Sequence, residues 1–268
     1  MNAKVKNIAL QIFIWLLLVS FLAVSMSFVG GKRDSGICTV AEINISEAHE
    51  FIDEQEVKDI LANNNLFIPG FFCDSINLEK IENIIEKHNQ VKSVETFITV
   101  DGRLVINIMQ RRPLLRVFNE YGDSFYIDED GKLMKTSSKY APRVLVATGI
   151  IKGKIDDCVS CIPGSIDTCD FAVLQLYQLY QLAGKIAGDQ FMFALIDQIY
   201  VNNKLQIEVI PKITDWNIVI GNNEDVEGKF SRFKSFLKVI PYPDGWDKYK
   251  TVNLSFRDQI VCTKKPTI

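Results

Sequence analysis

Histidine is almost missing from this chain: His49 and His88 are the two imidazoles among 268 residues. Histidine-rich metal sites and most Ser-His-Asp arrangements therefore lack their parts. Glycine-rich phosphate loops and serine nucleophile motifs are absent too. So is a concentrated positive field. Thirty Lys and Arg face 33 Asp and Glu, and residues 1–36 hold Lys4, Lys6, Lys32 and Arg33 against Asp34, which leaves 26 against 32, a net −6, for the rest. An acidic body argues against nucleic-acid binding. Internal repeats and low-complexity tracts are also missing. What remains, 47% hydrophobic and 24% charged, suits one large folded domain or two small ones.

From Ile8 through Trp15 to Val29 the chain carries no charge. As a helix that run spans about 30 Å, the thickness of a bilayer's hydrocarbon core, and it predicts a single transmembrane helix. A cleaved signal peptide is the competing reading, but its apolar region would exceed the usual ~7–15 residues. A short N-terminal tail inside the cell and a large body outside is the expected orientation in the cytoplasmic (inner) membrane. Six cysteines, Cys38, Cys73, Cys158, Cys161, Cys169 and Cys262, all follow the apolar run, which agrees with a body placed where disulfides survive. Cys158 and Cys161 form a CxxC, but no second CxxC or nearby histidine completes a metal site; a disulfide within the 158–169 loop or buried thiols is expected instead.

Beyond the linker around Gly30-Gly31, Cys38 to Ile45 reads as a strand. Asp53-Glu54-Gln55-Glu56 reads as a capping box opening a helix with Val57, Ile60 and Leu61 on one stripe. Asn63-Asn64-Asn65 and Pro69-Gly70 end it, and Asn77 caps a second helix with Leu78, Ile81, Ile84 and Ile85 on one side. Val94–Val100 and Arg103–Gln110 flank Asp101-Gly102, a two-residue turn that would set Thr99 opposite Leu104 and Phe97 opposite Ile106. This β-α-α-β-β order closes a module at Arg111-Arg112-Pro113.

Strands follow over Leu114–Phe118, Ser124–Ile127, Lys132–Met134 and Arg143–Thr148, then a loop over 150–168 and a helix over Phe171–Ile186. Phe191–Val201 and Leu205–Ile210 read as strands joined by an Asn202-Asn203 turn, and Trp216–Ile220 as another. A final helix places Val226, Phe230, Phe233, Leu237 and Ile240 inward and Lys229, Arg232, Lys234 and Lys238 in solvent. Thr251–Phe256 and Gln259–Thr263 close the chain as strands. The fold class expected is α+β: a transmembrane helix, a β-α-α-β-β module, and a mixed β-rich domain with two helices. The domains expected are 1–36, 37–112 and 113–268.

No catalytic, cofactor or metal constellation emerges. Asp128, Glu129 and Asp130 fit turn chemistry better than paired acid–base work. Asp156-Asp157 lacks the spaced ligands of a calcium loop, and Arg111-Arg112 reads as a solvated pair at a junction.

The order of parts and several stretches of wording resemble the FtsQ/DivIB family of bacterial cell-division proteins, with a POTRA domain followed by a β domain. The resemblance rests on Val91-Lys92-Ser93-Val94-Glu95 through Asp101-Gly102-Arg103-Leu104, on Gln110-Arg111-Arg112-Pro113-Leu114, and on Phe125-Tyr126-Ile127-Asp128 before Gly131. Thr251-Val252-Asn253-Leu254-Ser255-Phe256 and Gln259-Ile260-Val261-Cys262 extend it to the closing strands. Gln110 stands where the family commonly has Glu. The resemblance implies a non-enzymatic scaffold at the division septum that recruits FtsB- and FtsL-like proteins and regulates septal peptidoglycan synthesis, with other divisome proteins docking on the POTRA-like module. A POTRA-bearing transport or envelope-assembly component and a signal-cleaved extracytoplasmic enzyme are the alternatives. The first would continue into many barrel strands, and the second needs a catalytic set that is not found.

An apolar, β-prone C-terminal stretch makes an open sheet edge the expected partner site. The residues expected to carry it are Thr251, Val252, Leu254, Phe256, Gln259, Ile260 and Val261. The competing expectation is that Ile260 and Val261 finish the core while Lys264-Lys265-Pro266 guards the edge.

Overall fold

The computed structural model describes residues 3–31, 36–38, 41–46, 51–66, 70–155, 170–241 and 245–266, which form an α+β protein. The chain divides into two compact units. One holds Met1–Asn44, Glu54–Ile85 and Val94–Ile108; the other holds Ile45–Asp53, Glu86–Ser93 and Met109–Ile268. His49, Asp156, Asp157, Cys158, Cys161 and Cys169 lie outside the described residues.

Helix α1 (Ala3–Gly31) exposes every one of its described side chains, residues 11–26, Trp15 among them. Among the described residues no helix is long and apolar enough to cross a membrane, in contrast to the span expected from Ile8 to Val29, which reaches past the described side chains at both ends.

The module runs β1 (Ile37–Cys38), β2 (Ala41–Ile45), α2 (Glu54–Asn63), β3 (Phe71–Phe72), α3 (Leu78–Ile85), β4 (Val91–Ile98) and β5 (Leu104–Gln110). Its longer elements keep the expected β-α-α-β-β order. Strands β2, β5 and β4 form a sheet in that order, and the two-residue β1 and β3 make a separate antiparallel ladder. Helix α2 ends because Asn65 adopts φ 51° and the Leu66 N–H returns to the Leu61 carbonyl at 2.9 Å, an αL stop. Helix α3 starts where expected: Asn77 Oδ1 accepts from the Lys80 N–H at 2.9 Å. Val57 and Leu61 of α2 and Ile81 and Ile85 of α3 are buried, and the two helices pack together.

The hairpin differs from expectation by one residue. Thr99 pairs with Arg103, its N–H donating to the Arg103 carbonyl at 2.9 Å, and the Gly102 N–H returns to the Thr99 carbonyl at 3.0 Å. Gly102 at φ 79° supplies the left-handed residue of a three-residue loop, and Asp101 is not left-handed, so the turn is not the two-residue type. Phe97 is exposed rather than facing the core.

The second unit is built on a nine-stranded sheet of β6 (Pro113–Phe118), β7 (Ser124–Asp128), β8 (Leu133–Lys135), β9 (Leu145–Gly149), β10 (Ile196–Val201), β11 (Ile207–Pro211), β12 (Asn217–Gly221), β13 (Tyr249–Asn253) and β14 (Val261–Lys264). Their spatial order is β14-β13-β12-β11-β10-β9-β6-β7-β8. The pairs β6/β9, β9/β10 and β12/β13 are parallel. Parallel neighbours need crossovers. Helices α4 (Phe171–Gly188) and α5 (Gln190–Leu195) lie in the chain between β9 and β10, and α6 (Val226–Val239) between β12 and β13. A common core joins Leu176, Leu179 and Leu182 of α4 and Phe230 and Phe233 of α6 to Val117, Ile199 and Ile218 of the sheet.

This unit has three α-helices, not the expected two, of the six described in the chain. Residues 191–195, read as the start of a strand, are helical because the Asp189 carboxylate accepts from the N–H groups of Phe191 and Met192, both at 3.1 Å. The β10–β11 turn is also longer than expected. The Asn202 N–H donates to the Gln206 carbonyl at 3.1 Å, the Leu205 N–H returns to the Asn202 carbonyl at 2.9 Å, and Leu205 itself takes the left-handed position at φ 59°. Gly149 is needed for close approach, since a Cβ there would lie 2.1 Å from the Val201 carbonyl oxygen.

Candidate functional site

A sheet's outer strands present unpaired N–H and C=O groups to anything able to pair with them. The two edges of the nine-stranded sheet are β8 and β14, and they are finished differently. At β8 the Lys135 N–H donates to Asn89 Oδ1, and the Lys135 carbonyl accepts from Gln90 Nε2 at 3.2 Å. Side chains from residues 89 and 90 thus occupy part of that edge.

Among the described residues β14 pairs on one side only, antiparallel to β13, with Thr251 opposite Thr263, Val252 opposite Cys262 and Asn253 opposite Val261. The Lys265 N–H donates inward to the Lys248 carbonyl at 2.9 Å. Alternation along an antiparallel strand then turns the N–H groups of Cys262 and Lys264 to the free side. Beneath the edge, β13 is anchored by Val252 and by the Leu254 N–H, which donates to the Val219 carbonyl at 2.8 Å. Trp216 packs edge-on against Phe233 and Trp246, with centroids 5.9 and 6.3 Å apart. Burial raises the Cys262 thiol above its ordinary pKa.

The residues expected at this site separate into three groups. Thr251, Ile260 and Val261 lie on the edge pair or at its start, with Ile260 half-buried against the core and Val261 41% exposed. Val252 and Leu254 are fully buried, so their side chains are core and offer a partner nothing directly. Phe256, 44% exposed, and Gln259 sit in the loop joining β13 to β14. Lys265 reaches Asp215 at 3.4 Å.

Two further polar arrangements were hidden at the sequence level. Arg111, read as solvated, is an ion-pair partner: its side chain is 12% exposed and its Nη1 lies 3.0 Å from Oδ2 of Asp128, which is 1% exposed. The other Asp128 oxygen accepts from the N–H groups of Asp130 and Lys132 at 3.0 and 2.7 Å, the expected turn chemistry. Lys229, also expected in solvent, is 3% exposed. Its ammonium donates to the carbonyl and Oδ1 of Asn222 at 2.7 and 3.0 Å, and burial lowers its pKa. The helical spacing from Val226 to Phe233 was the available signal, because position 229 falls on the same face.

A groove of about 950 Å³ opens between α4 and α6. Its two lysines are engaged with carboxylates, Lys185 with Glu227 and Lys234 with Asp189. The hydrogen bond from Lys234 holds the Asp189 carboxyl below its ordinary pKa. Among the described residues no cluster of His, Cys, Asp and Glu could hold a metal ion.

A family model described as FtsQ/DivIB, C-terminal related, matches residues 112–263, and one described as a POTRA-like domain matches residues 36–109. No curated protein matches the chain.

Proposed function

The chain belongs to the FtsQ/DivIB family, and from that premise we propose that it is a non-enzymatic, single-pass membrane scaffold of the bacterial division machinery. The family's domains support a cell-division scaffold role and placement at the division septum. In the proposed arrangement the N-terminus lies in the cytoplasm, the charge-free run from Ile8 to Val29 crosses the cytoplasmic membrane, and the body stands outside it. The exposure of every described side chain of α1 supports the anchor, because an apolar helix without a protein partner needs lipid around it. The scaffold recruits FtsB- and FtsL-like proteins and thereby regulates septal peptidoglycan synthesis. Its POTRA-like module docks other divisome components.

One observation carries the partner assignment: the free side of β14, in a sheet whose opposite edge is partly occupied by Asn89 and Gln90. Strand addition there would give an incoming segment main-chain hydrogen bonds, with Val261 and Phe256 as exposed apolar contacts. The test is Lys264→Pro, which removes an N–H from the free side while the Lys265 bond to Lys248 stays available. Capture of an FtsB-like segment by the purified protein should fall at least ~10-fold with an unchanged thermal transition. Undiminished capture by the folded variant would refute the edge as the site.

A further inference from the structure

Cys38 ends β1, and Cys73 opens the 3-10 turn (Cys73–Ser75) that directly follows β3. Cys38 is opposite Phe71, while the Cys73 N–H donates to the Gly36 carbonyl at 3.0 Å. That bond carries the register one pair past the ladder and sets Cys73 diagonal to Cys38. Both are free thiols, Cys38 buried and Cys73 half-buried, and Cys73 is close enough to help raise the Cys38 pKa. The Cys73 sulfur also lies 3.9 Å from where a Cβ on Gly102 would stand, which places it under the β4–β5 hairpin. No third ligand joins the two sulfurs among the described residues, so a metal site is not the reading.

We propose that Cys38 and Cys73 are a disulfide site: in the presence of a small-molecule or protein disulfide they join and staple β1 to the turn that follows β3. Cys73, the more accessible thiol, attacks the oxidant R–S–S–R as its thiolate, forming Cys73–S–S–R and releasing one R–S⁻. Cys38 then gives up its proton and attacks the Cys73 sulfur, displacing the second R–S⁻. Two protein thiols are oxidised to one disulfide, the oxidant is reduced to two R–SH, and the two protons end on those thiols. Burial, with Cys73 close by, pushes the Cys38 thiol up to about 11, so closure is the slow step and quickens as pH rises.

The pairing itself does not depend on where the body lies; its oxidation in cells rests on the proposed extracytoplasmic location. The test therefore has two arms. Purified full-length protein is equilibrated in glutathione redox buffers, quenched in acid, alkylated and digested without reduction. Mass spectrometry should recover the Cys38 and Cys73 peptides as one linked species. The wild-type melting transition should fall by roughly 10 °C on reduction, and that reductant-dependent shift should vanish in Cys73→Ser, which leaves the buried Cys38 in place. Recovery of both cysteines alkylated at every redox poise would overturn the proposal. In the second arm, intact cells are acid-trapped. The linked peptide there supports oxidation in place, whereas thiols in cells beside a disulfide in the purified protein would refute the location and not the pair.

Discussion

Gln110 holds Ser46 from two directions: its backbone N–H donates to Ser46 Oγ at 3.0 Å, and its side-chain amide donates to the Ser46 carbonyl at 3.1 Å. The same amide's oxygen accepts from the N–H groups of Phe51 and Ile52 at 3.0 and 3.2 Å. This buried site asks for a donor and an acceptor on one side chain, and glutamine supplies both where a carboxylate supplies acceptors alone.

Gln110→Glu should accordingly destabilise the protein by about 1–3 kcal/mol at neutral pH, because it sets a buried carboxylate against the Ser46 carbonyl. The loss should shrink on acidification. Burial raises the new carboxyl's folded-state pKa, so the folded state binds more protons than the unfolded state and the variant gains stability relative to wild type as pH falls. Urea denaturation of both proteins at two pH values measures this. A deficit that grows on acidification would contradict the account.

The Arg111–Asp128 pair should be lopsided. Asp128→Ala removes the ion pair and the acceptor of two turn N–H groups, leaving Arg111 without its carboxylate, and should cost about 3 kcal/mol. Arg111→Ala leaves Asp128 with both backbone donors and should cost less. Denaturation midpoints of the two variants check the ordering.

Lys229 should give the stability curve an alkaline component. Its folded-state pKa lies below the unfolded value of 10.5. Below the folded pKa the residue is charged in both states and its desolvation is a full cost. As pH rises from the folded pKa toward 10.5, the unfolded state binds more protons, so the cost is relieved. Wild type should therefore gain stability relative to Lys229→Met across that window. The comparison cancels the titration of the other lysines and the tyrosines, while Glu224, Asp225 and Arg232 remain as neighbours in both proteins. Parallel stability curves would show that the lysine is not buried as a charge.

The elements that could be read from sequence are those whose local chemistry and burial agree. Asn77 before Leu78, Ile81 and Ile85 is one such case: cap and apolar stripe point to the same helix, and the helix is there. The closing strands and the open edge were legible for a similar reason, because the alternation of Val252 and Leu254 follows their burial. That same burial removes both side chains from the exposed surface of the edge, a distinction that alternation does not make. Phe191 to Leu195 was misread because a short apolar run fits strand or helix alike, and the arbiter, Asp189, lies just before it. Lys229 was misjudged by residue type when its position on α6 pointed inward. Arg111 was misjudged as solvated, since its partner becomes a neighbour only when β6 and β7 pair.

From β9 to β14 the spatial order of strands is the order of the chain, so that two-thirds of the sheet lengthens like a zipper, each strand closing on the one before. The last tooth has a single neighbour and mostly exposed side chains. Its amides should be among the first in the sheet to exchange with solvent, because local opening there breaks the fewest contacts. Any segment that adds to β14 must first have β14 closed. Its apparent affinity is thus scaled by the closed fraction, and its binding in turn suppresses fraying, so that recruitment and the ordering of one short strand become a single equilibrium.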